Sequence, residues 1–184
     1  MKTLAINVSL RKGSLNGKLL NQALPHAKGV GLEVETLDLK DFALPAYDGD
    51  IEASTGLPSP VLQLVEKIKT ATALIVATPE YNSSFPGHFK NTFDWISRAR
   101  PMPWQGKRVL FLSASPGMIG GNRGLWALRV PFEACGSFVY PDMFSLSQAG
   151  DAFDSSGAFK EAKHGERLAQ LVAAFGRFVA EARR

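Results

Sequence analysis

Two kinds of hydrophobic pattern take turns along this chain. Short runs that are apolar on both faces predict buried parallel strands, and apolar residues three and four apart predict helices. Thr3 to Ser9 reads as the first strand, with a helix from about Ser14 to Ala27 behind a polar turn. A short strand follows near Glu33 to Leu39, then a Pro- and Gly-rich stretch from Leu44 to Pro60 that reads as a long ordered loop. Val61, Leu64, Val65 and Ile68 have helical spacing, with Pro58 and Pro60 near the helix start. Ala71 to Thr78 is the third strand, and Pro86 suits the first turn of the next helix, which puts Phe85, Phe89, Phe93 and Ile96 on one face. Lys107 to Ala114 predicts a fourth strand, Leu125 to Ala134 a helix that Gly136 can end, and Ser137 to Pro141 a fifth strand. The last helix runs from Phe159 to Ala182 and buries Leu168, Leu171, Val172, Phe175 and Val179.

Five strands alternating with five helices predict one α/β domain over residues 1–184. Its expected form is a doubly wound, five-stranded parallel sheet with helices on both faces. Such sheets take ligands beyond the carboxyl ends of their strands. With 184 residues, 45% apolar and 21% charged, the chain can bury one globular core. No apolar run approaches the ~18 residues of a membrane span, and the stretch after Met1-Lys2 is too short for a signal-peptide core. The expectation is a cytoplasmic protein with no membrane partner, and the single Cys135, unable to form an internal disulfide, agrees. A net charge of +4 suits either nucleic acid or an anionic small ligand. The basic residues are scattered apart from Arg11-Lys12 and Arg183-Arg184, so nucleic acid is not expected.

Three strand-end loops hold the least ordinary sequence. Ser9-Leu10-Arg11-Lys12-Gly13-Ser14-Leu15-Asn16 concentrates hydroxyls, an amide and cations at a helix N-terminus, where unpaired N–H groups and the helix dipole favour a phosphate. It lacks the Gly-Lys-Ser/Thr ending of a P-loop, and Ser14 alone would also serve as a plain N-cap. Thr78-Pro79-Glu80-Tyr81-Asn82-Ser83-Ser84 can flank a planar ring and its polar edge, or simply cap a helix. Ser113-Ala114-Ser115-Pro116-Gly117, followed by Gly120-Gly121-Asn122-Arg123, lets backbone approach a ligand closely, or serves as a flexible connection.

In order and spacing these segments, with Leu-Pro-Ala-Tyr-Asp at 44–48 and Pro-Gly-His-Phe-Lys-Asn-Thr-Phe-Asp-Trp at 86–95, resemble the NADPH-dependent FMN reductases. These are flavodoxin-like proteins that include chromate, quinone and azo-dye reductases, and the resemblance runs from residue 3 to about residue 141. It implies that Ser9, Arg11, Ser14, Leu15 and Asn16 hold the FMN phosphate. It implies that Pro79, Glu80, Tyr81 and Asn82 line the isoalloxazine, with Ser115, Pro116 and Gly117 closing the site. Two departures stand out: Val8 occupies a position where the family usually has glycine, and Pro131 interrupts the fourth helix.

The resemblance further implies that NADPH, or NADH, gives hydride to flavin N5 and that a small acceptor then takes the electrons. No catalytic side chain and no metal are expected, because the flavin carries the chemistry. His26, His88 and His164 are scattered and read as surface or packing residues, and Cys135 as a small core residue. Arg11, Arg98, Arg100 and Arg123 are available for a 2′-phosphate. A homodimer or homotetramer is implied, with the Phe85/Phe89/Phe93 and Trp95 helix as a candidate interface; the phenylalanines fit a monomer core equally well. Alternatives are an electron carrier, whose usual acidic face a +4 chain does not suit, and a non-catalytic flavin- or nucleotide-binding regulator.

Overall fold

The computed structural model describes residues 1–181; the predicted end of the last helix at Ala182 and the Arg183-Arg184 pair lie outside them. Its elements are β1 (Lys2–Asn7), α1 (Leu15–Gly29), β2 (Glu33–Asp38), α2 (Gly49–Thr55), α3 (Ser59–Thr70), β3 (Ala73–Ala77) and α4 (Gly87–Ile96). Then come β4 (Arg108–Ala114), α5 (Asn122–Ala134), β5 (Phe138–Val139), β6 (Phe144–Leu146) and α6 (Ala162–Ala180). The strands pair in parallel in the order β2-β1-β3-β4-β5, with β6 also on β4. The order reverses between β1 and β3, which is where a doubly wound sheet opens a crevice.

Period-two alternation sorts the strand side chains onto two faces. Leu4, Ile6, Leu74, Val76, Val109 and Phe111 pack under α3, α4 and α5, while Ala5, Ala73, Ile75, Ala77, Leu110 and Leu112 pack under α1 and α6. Helical spacing does the same work from the other side: Val61, Leu64, Val65 and Ile68 of α3 are all buried. Full burial of each such side chain contributes ~1.5–3 kcal/mol before chain entropy is set against it.

The observed sheet departs from five plain strands at its edge. Val109 pairs with Val139 and Leu112 with Phe144, so three steps along β4 face five along the edge chain. The surplus residues include Pro141, which has no N–H for the ladder, and the fifth strand therefore splits into β5 and β6. The stretch expected as a loop over 44–60 contains the short helix α2, begun by the Asp48 carboxylate, which accepts the Asp50 N–H. The last helix begins at Ala162 rather than Phe159, because Phe159 instead bridges to Phe153 and stacks on it at 5.0 Å.

The aromatic residues of α4 belong to the monomer core, with Phe85 partly buried against it. Phe89, Phe93 and Trp95 are buried, and the Trp95 indole Nε1–H donates to the Pro45 carbonyl at 2.9 Å. The two departures from the family pattern are absorbed locally. Val8 is buried without a left-handed φ, and α5 continues past Pro131 until Gly136, at φ +80°, turns the chain away.

Candidate active site

The loops after β1, β3 and β4 meet in one cleft of about 330 Å³. It is lined by Ser9, Arg11, Ser14, Leu15, Asn16, Pro79, Glu80, Tyr81, Ser115 and Pro116, together with Gly13 and Ala114. Two expected residues stand apart from this lining. Asn82 sits at the exposed tip of a tight turn with φ +50°, and Gly117 lies one position past the rim.

The first loop presents a row of backbone donors. Ser14 caps α1, its Oγ accepting the Gly17 N–H at 2.9 Å, and the Ser9 Oγ accepts the Arg11 N–H at 3.4 Å. Among the described residues, the N–H groups of Lys12, Gly13, Ser14, Leu15 and Asn16 have no acceptor. Gly13, at φ +64°, turns this row of donors into a concave run. Arg11 is exposed beside it and has no carboxylate partner among the described residues.

Asn16 differs from the side-chain role expected of it. Its carboxamide is buried and meets Ala114 twice, donating to the carbonyl at 3.1 Å and accepting the N–H at 2.9 Å. This pair ties the start of α1 to the end of β4 and leaves the backbone N–H of Asn16 for the cleft. Glu80 also turns away from a purely lining role. Its Oε2 accepts the Gly124 N–H at 2.8 Å, inside the first turn of α5, where Gly121 at the cap position has no side chain to offer. Packing is close at both glycines: a Cβ on Gly124 would lie 3.1 Å from Glu80 Cβ, a tight contact, and one on Gly121 would clash at 1.9 Å with Ser113 Oγ.

The second loop is a closed turn. Tyr81 and Ser84 exchange both backbone hydrogen bonds, with Asn82 and Ser83 in the left-handed region between them. This holds Tyr81 half in solvent at the cleft, behind the rigid Pro79. The third loop is held by the split edge: Ser115 N–H donates to Leu146 O, and Ser145 Oγ donates to Ile119 O. Met118 and Ile119 stand exposed on it, adding apolar surface beside the aromatic wall.

Residues that the sequence alone did not single out as site residues support the first loop from behind. Asn7, at the end of β1, accepts the Ser9 N–H, and His88 of α4 bonds the Val8 carbonyl. A polar residue ending an otherwise apolar strand was the available signal for Asn7; a lone His on a helix gave none. Further out, Glu52 of α2 binds the Tyr47 hydroxyl and Arg98, strapping α2 and the segment before it to the turn after α4. The donated Tyr47 hydroxyl, then the Arg98 guanidinium, lower the Glu52 pKa below the ordinary 4.5. Arg98 is thereby engaged, as is Arg100 on the Ser97 and Ala99 carbonyls, which leaves Arg11 and Arg123 of the four cations considered for a 2′-phosphate.

A doubly wound parallel sheet with an anion-ready helix N-terminus and an aromatic wall at its switch point defines a protein of the flavodoxin-like class. Flavodoxin 1 from Bacillus cereus shares the fold at a TM-score of 0.63 and 12% identity, over 96% of this chain and 98% of that one. The model of the NADPH-dependent FMN reductases matches residues 1–151, and the chain belongs to that family. An NAD(P)H-dependent FMN reductase of Pseudomonas aeruginosa is 36% identical over 176 residues, covering 95% of this chain and 92% of that protein. A quinone reductase of Escherichia coli (strain K12) is 43% identical over 122 residues; the match takes in 66% of this chain and only 63% of the relative's length. FerB from Paracoccus denitrificans, a flavoenzyme NAD(P)H:(acceptor) oxidoreductase, superposes at a TM-score of 0.81 with 30% identity, over 98% and 97% of the two chains. Membership places the chain among proteins described as NADPH-dependent FMN reductases.

Proposed function

We propose that the whole chain, 1–184, works as one FMN-binding domain that passes electrons from NADPH or NADH to a small-molecule acceptor such as a quinone, flavin, azo dye or metal oxyanion. The observation that carries this reading is the row of unaccepted N–H groups from Lys12 to Asn16, set at a helix N-terminus beside Arg11. Water can meet such donors, but a row of them beside Arg11 favours an anion, and a phosphate monoester suits it. The donor set therefore suits FMN: phosphate toward Arg11, Ser14 and the loop N–H groups, ring toward Pro79, Tyr81, Ser115 and Pro116.

When bound, FMN supplies the hydride and electron chemistry. The chain's own residues bind and orient. Ser14 adds a hydroxyl donor to the backbone row, and Arg11 balances anionic charge. Tyr81 and Pro79 give a planar molecule an apolar wall and exclude water from one side of it. The third loop is fixed beside the ring position by the Ser115 N–H on Leu146 O and by the Gly124 N–H on the Glu80 carboxylate. Arg11 and Arg123, considered for the phosphate of a nucleotide, have no carboxylate partner among the described residues.

The finer assignments are proposals of the same kind. A cytoplasmic setting suits the free Cys135, whose thiol pKa burial raises and so keeps unreactive. A homodimer or homotetramer would use the exposed Trp126 and Val130 of α5, since the aromatics of α4 are internal. The test is the absorbance spectrum of the purified protein, followed by acid precipitation and mass measurement of the released pigment. FMN in the supernatant is expected; a colourless protein that takes up no added FMN would end this reading.

A further inference from the structure

We propose that His88 is a positioning residue for the phosphate loop, setting the peptide plane from which that loop departs. This rests on the reading of the first loop as an FMN phosphate site. The Val8–Ser9 peptide is the last unit before the loop opens. Its carbonyl accepts from His88 Nε2 at 2.9 Å, across 80 residues of sequence. Its N–H donates to the Asn7 carboxamide oxygen at 3.3 Å, and the Asn7 Nδ2 is held in turn by the Asp38 carboxylate at 2.5 Å. One peptide is thus gripped at both ends, from α4 on one side and from β1 and β2 on the other.

The chemistry fixes the state of the imidazole. A carbonyl oxygen only accepts, so Nε2 carries a hydrogen. The His88 carbonyl accepts from the Thr92 hydroxyl at 2.8 Å, which keeps the first turn of α4 in place beneath the ring. The grip has a particular use in this chain. Where the family usually has glycine, Val8 fills the core, and its N–H pairs with Ala77 O at 2.9 Å. With Val8 anchored in the core and its carbonyl tied to His88, the peptide plane has one orientation. That orientation decides where Ser9 and the following donors point.

The experiment compares FMN with riboflavin, which has the same ring but no phosphate, by fluorescence titration of apoprotein. The ratio of the two affinities reports the phosphate loop alone. His88→Phe keeps an aromatic ring of similar size and removes the donor; His88→Ala removes both. In each, the FMN-to-riboflavin ratio should fall about tenfold, the loss expected when donors to a charged group are misaimed, while riboflavin affinity stays within about twofold. His88→Gln, which can present an amide N–H at similar reach, should restore most of the ratio. A packing role would instead lower Tm, or weaken both flavins together, with the ratio unchanged, and that result overturns the proposal. A parent protein that binds neither flavin, or both equally, overturns the phosphate-site reading and this proposal with it. If His88→Ala does not fold, the Phe and Gln variants decide.

Discussion

At the first loop the Ser14 hydroxyl accepts the Gly17 N–H and keeps its own hydrogen to donate. The two uses can be separated. Asp in place of Ser14 keeps an N-cap acceptor but sets a carboxylate beside the phosphate site. Ser14→Asp is expected to melt near the parent temperature while losing more than ~100-fold in FMN affinity, since a charge-assisted bond is exchanged for repulsion. Calorimetry and a flavin titration on the same sample check both halves. Glu80 makes the complementary case, a residue at the cleft whose bond goes to a helix. Glu80→Ala removes the acceptor of the Gly124 N–H and should cost ~1 kcal/mol, as loss of a cap does. Urea unfolding of apoprotein measures it. Ten of the twelve expected site residues do line the cleft, because their positions follow from loop order at one end of the sheet. What each side chain does there was not legible. The Asn16 amide binds Ala114 and the Glu80 carboxylate binds Gly124, and those partners lie 98 and 44 residues away in sequence.

At the scale of elements, β3, α3 and β4 could be read directly, since their patterns are unbroken and both neighbours bury them. The edge was less legible: whether β5 and β6 are one strand depends on a register with β4 that no local pattern records. The junction of β4 with α5 rests on Gly121, at φ +86° against Ser113. Gly121→Ala combines a left-handed strain with a clash and should lower stability by ~3 kcal/mol; chemical denaturation would show a shifted midpoint at unchanged slope. The strap made by Glu52 of α2 gives a pH signature. The Glu52 pKa is lowered in the folded protein by the Tyr47 hydroxyl and then Arg98. A carboxyl of that kind adds stability above its unfolded value, and the contribution is lost as pH falls through the folded one. The Tm gap between parent and Glu52→Gln should therefore be present at neutral pH and close below the ordinary 4.5.

For the molecule as a whole, the three loops meet in one cleft of about 330 Å³, and on the proposed reading both substrates would reach a bound cofactor in turn from its open side. Steady-state rates with NADPH and a quinone should accordingly give parallel double-reciprocal lines; intersecting lines would mean that both substrates bind together. The margins of the sheet have a different consequence. On one side β2 shows Glu33 and Glu35 to solvent, with Lys67 reaching across to Glu35. On the other, the split leaves a two-residue and a three-residue strand with Pro141 between them. Neither margin offers a long, flat, uncharged ladder on which a foreign chain could add a strand. Edge-to-edge pairing with another copy is thereby disfavoured, because the ladder that would template it is interrupted on one side and charged on the other.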